Sequence, residues 1–179
     1  FTLQLGKAPY ESEEEPGQAY ARVGDSPILY KISESLYQAL TACGYDDLRH
    51  QNLFTGDFSL AKELTVTLEG STRVFTYEKR EDNEEAAWYL GEEQVDLADI
   101  QTALENLTAE TFTTEAPTGK EELSLTVTLD QEGEHTLKLT FYRQDGTTVL
   151  AQANGKTLCT LARAQVVTLT ESFNALLLG

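Results

Sequence analysis

Carboxylates are the most frequent chemically competent side chains in this sequence, and they come in runs: Glu13-Glu14-Glu15, Glu84-Glu85, Glu92-Glu93 and Glu121-Glu122. Two carboxyl groups facing each other at roughly 5 to 10 Å can serve as acid and base of a glycosidase. Catalytic carboxyls need burial to raise their pKa, and these lie in polar runs. None shows the alternating Asp/Asn ligands with a Gly that wrap a chain around calcium. The two histidines, His50 and His135, lack a neighbouring cysteine or second histidine, so a transition-metal centre has no local ligand set. Ser33 and Ser35 have no base nearby and sit where a helix needs a cap. No nucleophile elbow, phosphate-binding glycine loop or His-Glu-x-x-His occurs. No catalytic, metal or cofactor residue is therefore expected, and no enzyme. Trp88 and Tyr89 are the candidate contacts for a ligand or partner, since an indole on a short strand beside acidic segments can stack on a sugar or peptide; the competing reading places Trp88 in the core beneath a helix.

These residues stand on a chain of 179 with 13 Lys and Arg against 30 Asp and Glu, a formal charge of −17. That balance disfavours nucleic acid and anionic membrane surfaces, because binding to both rests on cationic side chains. Four prolines, twelve glycines and 40% hydrophobic residues exclude collagen, low complexity and global disorder. Cys43 and Cys159 are too few for a disulfide framework, and buried thiols are expected. No run reaches the ~18 apolar residues of a membrane span. The chain starts at Phe and has no Met, which reads as a processed or shortened chain with any targeting or anchoring segment upstream.

Two period-two runs dominate the pattern. Leu64, Val66 and Leu68 alternate with Thr65, Thr67 and Glu69, and Leu123, Leu125, Val127 and Leu129 alternate with Ser124, Thr126 and Thr128. Each predicts a strand with one buried face. Turns at Gly70-Ser71 and 131–134 send them into antiparallel partners at 73–80 and 136–143. Ser35-Leu36-Tyr37-Gln38 reads as a capping box for a first helix with Leu36, Leu40 and Cys43 on one face, ended by a left-handed Gly44. Asp96 caps a second helix with the stripe Leu97, Ile100, Leu104 and Leu107; a third lies between Ala164 and Leu178. The expected core includes Leu64, Val66, Leu68, Ile100, Leu104, Val127, Leu137, Leu139 and Phe173.

Thr2-Leu3-Gln4-Leu5 matches Thr136-Leu137-Lys138-Leu139, and each is followed by a loop and by similar text at 20–29 and 150–159. Residues 62–107 follow the same plan of hairpin, short strand and helix. The predicted fold is α+β, built of repeated antiparallel hairpin units each followed by one helix. The units are 1–57, with its first strand missing, 58–117 and 118–179. The connectors at 44–57 and 110–122 carry Leu48, Leu53, Phe54 and Phe112 and are expected to pack. The acidic stretches 11–17 and 81–85 read as exposed hairpin tips.

The stretch from Phe1 to Gln51, with Leu5-Gly6-Lys7, Tyr20-Ala21-Arg22-Val23-Gly24-Asp25-Ser26-Pro27, Tyr30, Ser33 and Asp47-Leu48-Arg49, resembles the bacterial family described as domain of unknown function 4340. So does the second unit, where Trp88-Tyr89-Leu90 precedes Val95-Asp96 and a helix ending in Asn106-Leu107-Thr108-Ala109. The resemblance implies an extracytoplasmic protein with an N-terminal membrane anchor, often accompanying ABC-transporter components of the gliding-motility type, with no established activity. It thus implies an interaction module of an envelope assembly, with transporter subunits as partners. A binding domain for a small ligand, glycan or peptide is the alternative.

Overall fold

The computed structural model describes residues 2–8, 18–81, 85–130 and 133–178, the side chain of Leu178 excepted. Most of the two acidic stretches read as hairpin tips, 11–17 and 82–84, and residues 131–132 of the second turn lie outside the described residues. The chain divides into two compact units, Phe1–Arg49 and His50–Gly179.

The first unit is a three-stranded antiparallel sheet, β1 (Leu3–Lys7), β2 (Ala19–Val23) and β3 (Tyr30–Ile32), followed by α1 (Glu34–Ala42) and a 3-10 turn at Asp46–Leu48. The cap of α1 is Ser33 rather than Ser35. Ser33 has extended backbone and its Oγ accepts the Leu36 N–H at 3.1 Å, whereas Ser35 lies inside the first turn with its hydroxyl 3.0 Å from that of Ser33. Gly44 is not a left-handed stop. The helix ends in extended backbone at Cys43, and the Gly44 N–H donates to Asp47 Oδ2 at 2.7 Å. The expected face of Leu36, Leu40 and Cys43 is at most half-covered, for no residue of α1 is buried. Ala19 and Ala21 are the buried hydrophobic residues of this unit among the described residues.

The second unit opens with a 3-10 turn (Phe58–Leu60) and continues as β4 (Ala61–Leu68), β5 (Ser71–Glu78), β6 (Ala87–Leu90), β7 (Glu93–Val95) and α2 (Ala98–Glu105). Then come β8 (Thr111–Phe112), β9 (Glu121–Asp130), β10 (Glu134–Arg143), β11 (Thr148–Ala153), β12 (Lys156–Ala162) and α3 (Arg163–Leu178). One nine-stranded antiparallel sheet results, ordered β7-β6-β5-β4-β9-β10-β11-β12-β8. Strands from 58–117 and 118–179 thus lie side by side in it, and the architecture is α+β. Two-residue turns close two of its hairpins: Glu69-Gly70 and Asn154-Gly155 all have positive φ, the type I′ geometry whose twist matches that of the flanking strands.

The centre of the sheet is the β4–β9 pair. Residues 64–68 and 125–129 both read Leu-Thr-Val-Thr-Leu. They pair as Leu64 with Val127, Thr65 with Thr126 and Val66 with Leu125, a register that exchanges the two pentapeptides about the Thr65–Thr126 pair. Period two then sorts the side chains. Leu64, Val66, Phe75, Leu125, Val127, Leu139, Phe141, Leu161, Leu97 at the entry to α2 and the helix residues Ile100, Leu104, Val166, Leu169 and Phe173 form one buried cluster. Each large side chain so buried contributes about 1.5–3 kcal/mol. The expected core residues Leu68 and Leu137 are half-buried against it. The opposite face carries hydroxyls in cross-strand pairs, Thr67 with Ser124, Thr128 with Thr136 and Ser124 with Thr140. The N-cap of α2 is Leu97 rather than Asp96, and it makes no side-chain capping bond; Asp96, one residue earlier, accepts the Ala98 N–H on Oδ1 at 2.9 Å.

Within the connectors, Leu53 and Phe54 are buried as expected, but Leu48 is 74% exposed. β8 lies within a stretch read as a connector; two residues are too short for a period to register. It sits beyond β12, so the segment 113–120 has to pass β12, β11 and β10 to reach the place of β9. Gly119 allows the passage: a Cβ there would sit 1.5 Å from the Arg143 carbonyl oxygen. Cys159 is buried and Cys43 only half-buried, both as thiols outside any disulfide.

Candidate functional site

Trp88 and Tyr89 are adjacent in β6 and therefore point to opposite faces of the sheet. The Trp88 ring lies 5.7 Å from Phe58 and 5.4 Å from Tyr77 by centroid, half-buried against the core cluster. Tyr89 is buried, with the Arg80 guanidinium 3.7 Å above its ring. Arg80 is itself held by Glu78 at 2.7 Å and the Gly91 carbonyl at 2.7 Å. One aromatic is a packing residue and the other is roofed by a cation, so the pair presents no shared stacking surface.

A cleft of about 780 Å³ lies where the Glu69-Gly70 turn, the start of β9, the end of β10 and α3 meet. Its charged lining includes Lys120, Arg143, Arg163, Glu122 and Glu171. Arg163 holds Glu122 at 2.9 Å, and Arg143 stands 3.8 Å from the same carboxylate. These cations come from residues 23 and 20 positions apart in the sequence, so only the fold assembles them. Glu122 is thus bracketed by two guanidiniums in an ion-pair cluster. His50 and His135 are exposed. Among the described residues no group of three or more His, Cys, Asp and Glu side chains could hold a metal ion, and no helix is long and apolar enough to cross a membrane.

The first unit presents a different surface. Leu3, Val23, Ile28, Leu29, Tyr30, Leu36, Tyr45 and Leu48 are all exposed, Leu29 to 65% and Tyr45 to 80%. These are eight of the eleven large hydrophobic side chains found exposed among the described residues. Side-chain bonds tie some of the elements that carry them. Lys7 Nζ meets Glu34 Oε1 at 2.6 Å and ties β1 to the first turn of α1. That hydrogen bond holds the Glu34 carboxyl below the usual carboxylate range, against the opposing effect of desolvation. The other carboxylate oxygen, Oε2, is shielded and has no hydrogen-bond partner among the described residues. Arg22 donates to Gln4 across β1 and β2 at 2.9 Å. The sequence does not mark this surface, because Leu36, Leu48 and Tyr30 carry the same apolar signal whether a core or a partner covers them.

Comparison with protein-family models, with curated proteins and with solved structures gives no match to this chain.

Proposed function

We propose that the chain is a non-enzymatic docking module, in which residues 1–49 present an apolar surface that a protein partner covers. The observation that carries this reading is the concentration of exposed hydrophobic side chains in a unit whose buried hydrophobic residues, among the described residues, are two alanines. A segment of about 50 residues buries a smaller fraction of its surface than a larger domain does, and concentrations of exposed apolar side chains mark protein contacts. The setting we propose is extracytoplasmic, in an envelope assembly with transporter subunits as partners. Its support is the resemblance carried by Tyr20–Pro27 and Trp88–Asp96.

We further read the chain as built on one repeated plan. Its support is the element order β4-β5-β6-β7-α2 followed by β9-β10-β11-β12-α3, with identical pentapeptides in the two first strands paired to each other. β1-β2-β3-α1 repeats the last four elements of that order.

The cleft at Arg163 favours the second reading, a ligand-binding domain, because its volume lies within the range of small-molecule sites. Its cations already engage Glu122, whereas such sites are mostly apolar with a few polar groups converging on the ligand. Docking therefore stands first. Photo-crosslinking from position 29 in native membranes tests it: a discrete protein adduct is expected from position 29 and none from position 74, whereas equal labelling from both would count against a localised surface.

A further inference from the structure

The two sheets have four edges, and three are protected against pairing. β7 is three residues long and begins at Glu93; β8 is two residues long and follows Glu110; β3 is three residues long with Lys31 at its middle. Short strands and edge charges are the usual devices that stop a strand from pairing further. β1 has neither from Thr2 to Gly6, a stretch without charge or proline.

The ladder phase shows what that edge offers. The Gly24 N–H donates to the Thr2 carbonyl at 2.7 Å, and the Ala8 N–H donates to the Gln18 carbonyl at 2.8 Å. Residues alternate along an antiparallel ladder, so Thr2, Gln4 and Gly6 bond to β2 while Leu3 and Leu5 turn their N–H and C=O outward. Among the described residues β1 pairs with β2 alone. The same phase recurs inside the second unit. There the Asn154 N–H donates to the Lys138 carbonyl at 2.8 Å, so that Leu137 and Leu139 turn to the other side, where Val127 and Leu125 of β9 pair with them.

Resting on the docking reading above, we infer that β1 takes up an antiparallel strand from the partner, one in which aliphatic residues alternate with Thr or Ser. The side-chain chemistry follows from the edge. Leu3 and Leu5 share one face and require aliphatic neighbours; Thr2 and Gln4 share the other and suit small hydroxyl side chains. The chain contains this strand type already, as the Leu-Thr-Val-Thr-Leu of β9 lies against the matching edge of β10. Main-chain bonds then supply affinity and the alternating side chains supply selectivity.

The test uses the full isotope-labelled chain and the synthetic peptide Glu-Leu-Thr-Val-Thr-Leu-Glu, the sequence of residues 63–69, beside a scrambled peptide of equal composition. The expected result is saturable slowing of amide exchange at Leu3 and Leu5 by about tenfold or more, with Gln4 and Gly6 unchanged because β2 already protects them. Leu5→Pro removes one outward N–H without touching the β2 ladder, a place where proline is tolerated, and should weaken peptide binding by about tenfold. Three results would overturn the inference: no protection at saturating peptide, equal protection by the scrambled peptide, or protection that rises with protein concentration alone, which would make a second copy the occupant. A chain whose position-29 adduct persists in Leu5→Pro while Leu3 stays unprotected retains docking and loses strand addition; absence of both adduct and protection ends both.

Discussion

Phe173→Ala is the sharpest probe of the second unit's core. Phe173 projects from α3 onto the sheet, 2% exposed, with its ring stacked at 6.3 Å from Phe75. Truncating a buried Phe to Ala costs about 3–5 kcal/mol, the spread reflecting how far the site collapses or fills with water. Here a space of about 240 Å³ bounded by Val66, Phe75, Phe173 and Leu177 already adjoins the ring. The vacated volume merges with it and admits solvent, so the low end, about 3 kcal/mol, is expected. For a unit of this size that is a fall in Tm of roughly 10 °C. Phe173→Leu, which keeps most of the volume, should cost about 1 kcal/mol. Trp88 is the sole tryptophan and packs in the same unit, so urea denaturation followed by its fluorescence reads this unit directly. Amide exchange at Ala19 and Ala21 reads the first unit and should not change. A loss below about 1 kcal/mol for the alanine variant would refute the packing argument.

The cysteines predict a simple count. A thiol reagent should modify Cys43 rapidly in the native protein and Cys159 only when urea opens the sheet; two fast thiols would contradict the burial of β12. The Lys7–Glu34 pair predicts a pH dependence with a definite sign. The folded carboxyl is held below its ordinary pKa, so its contribution is present above about pH 4.3 and is lost as pH falls through the lower folded value. Amide exchange in α1 should accelerate in that window, and Glu34→Gln should flatten the dependence; an α1 that opens equally with pH in the variant would remove the pair from the account.

The sequence made the second unit legible because its strands are long and half-buried. Leu64 to Leu68 and Leu123 to Leu129 keep a strict period of two, and Leu97 to Leu107 keeps a helical one, each covered by the element it faces. The first unit was harder to read for a physical reason. Its helix pattern at Leu36 and Leu40 matches that of a helix packed on a core, yet α1 has no buried residue. Ser33 and Ser35 are chemically equal candidates for the cap, and only the extended backbone at Ser33 separates them. Trp88 and Tyr89 are adjacent aromatics in the sequence, but strand alternation sends them to opposite faces. The cleft residues Lys120, Arg143 and Arg163 meet only because β9, β10 and α3 end together, which no local pattern records.

The measurement that bears most directly on the docking account is affinity capture from native membranes, comparing the full chain with the variant Leu29→Ser, Tyr45→Ser and Leu48→Ser. These residues lie outside the core cluster of the second unit, so the urea midpoint of Trp88 should be the same in both. The account predicts that the native chain recovers a defined protein partner and that the triple variant loses it. Equal recovery by both, or no protein recovered while a sugar or peptide binds saturably, would contradict it.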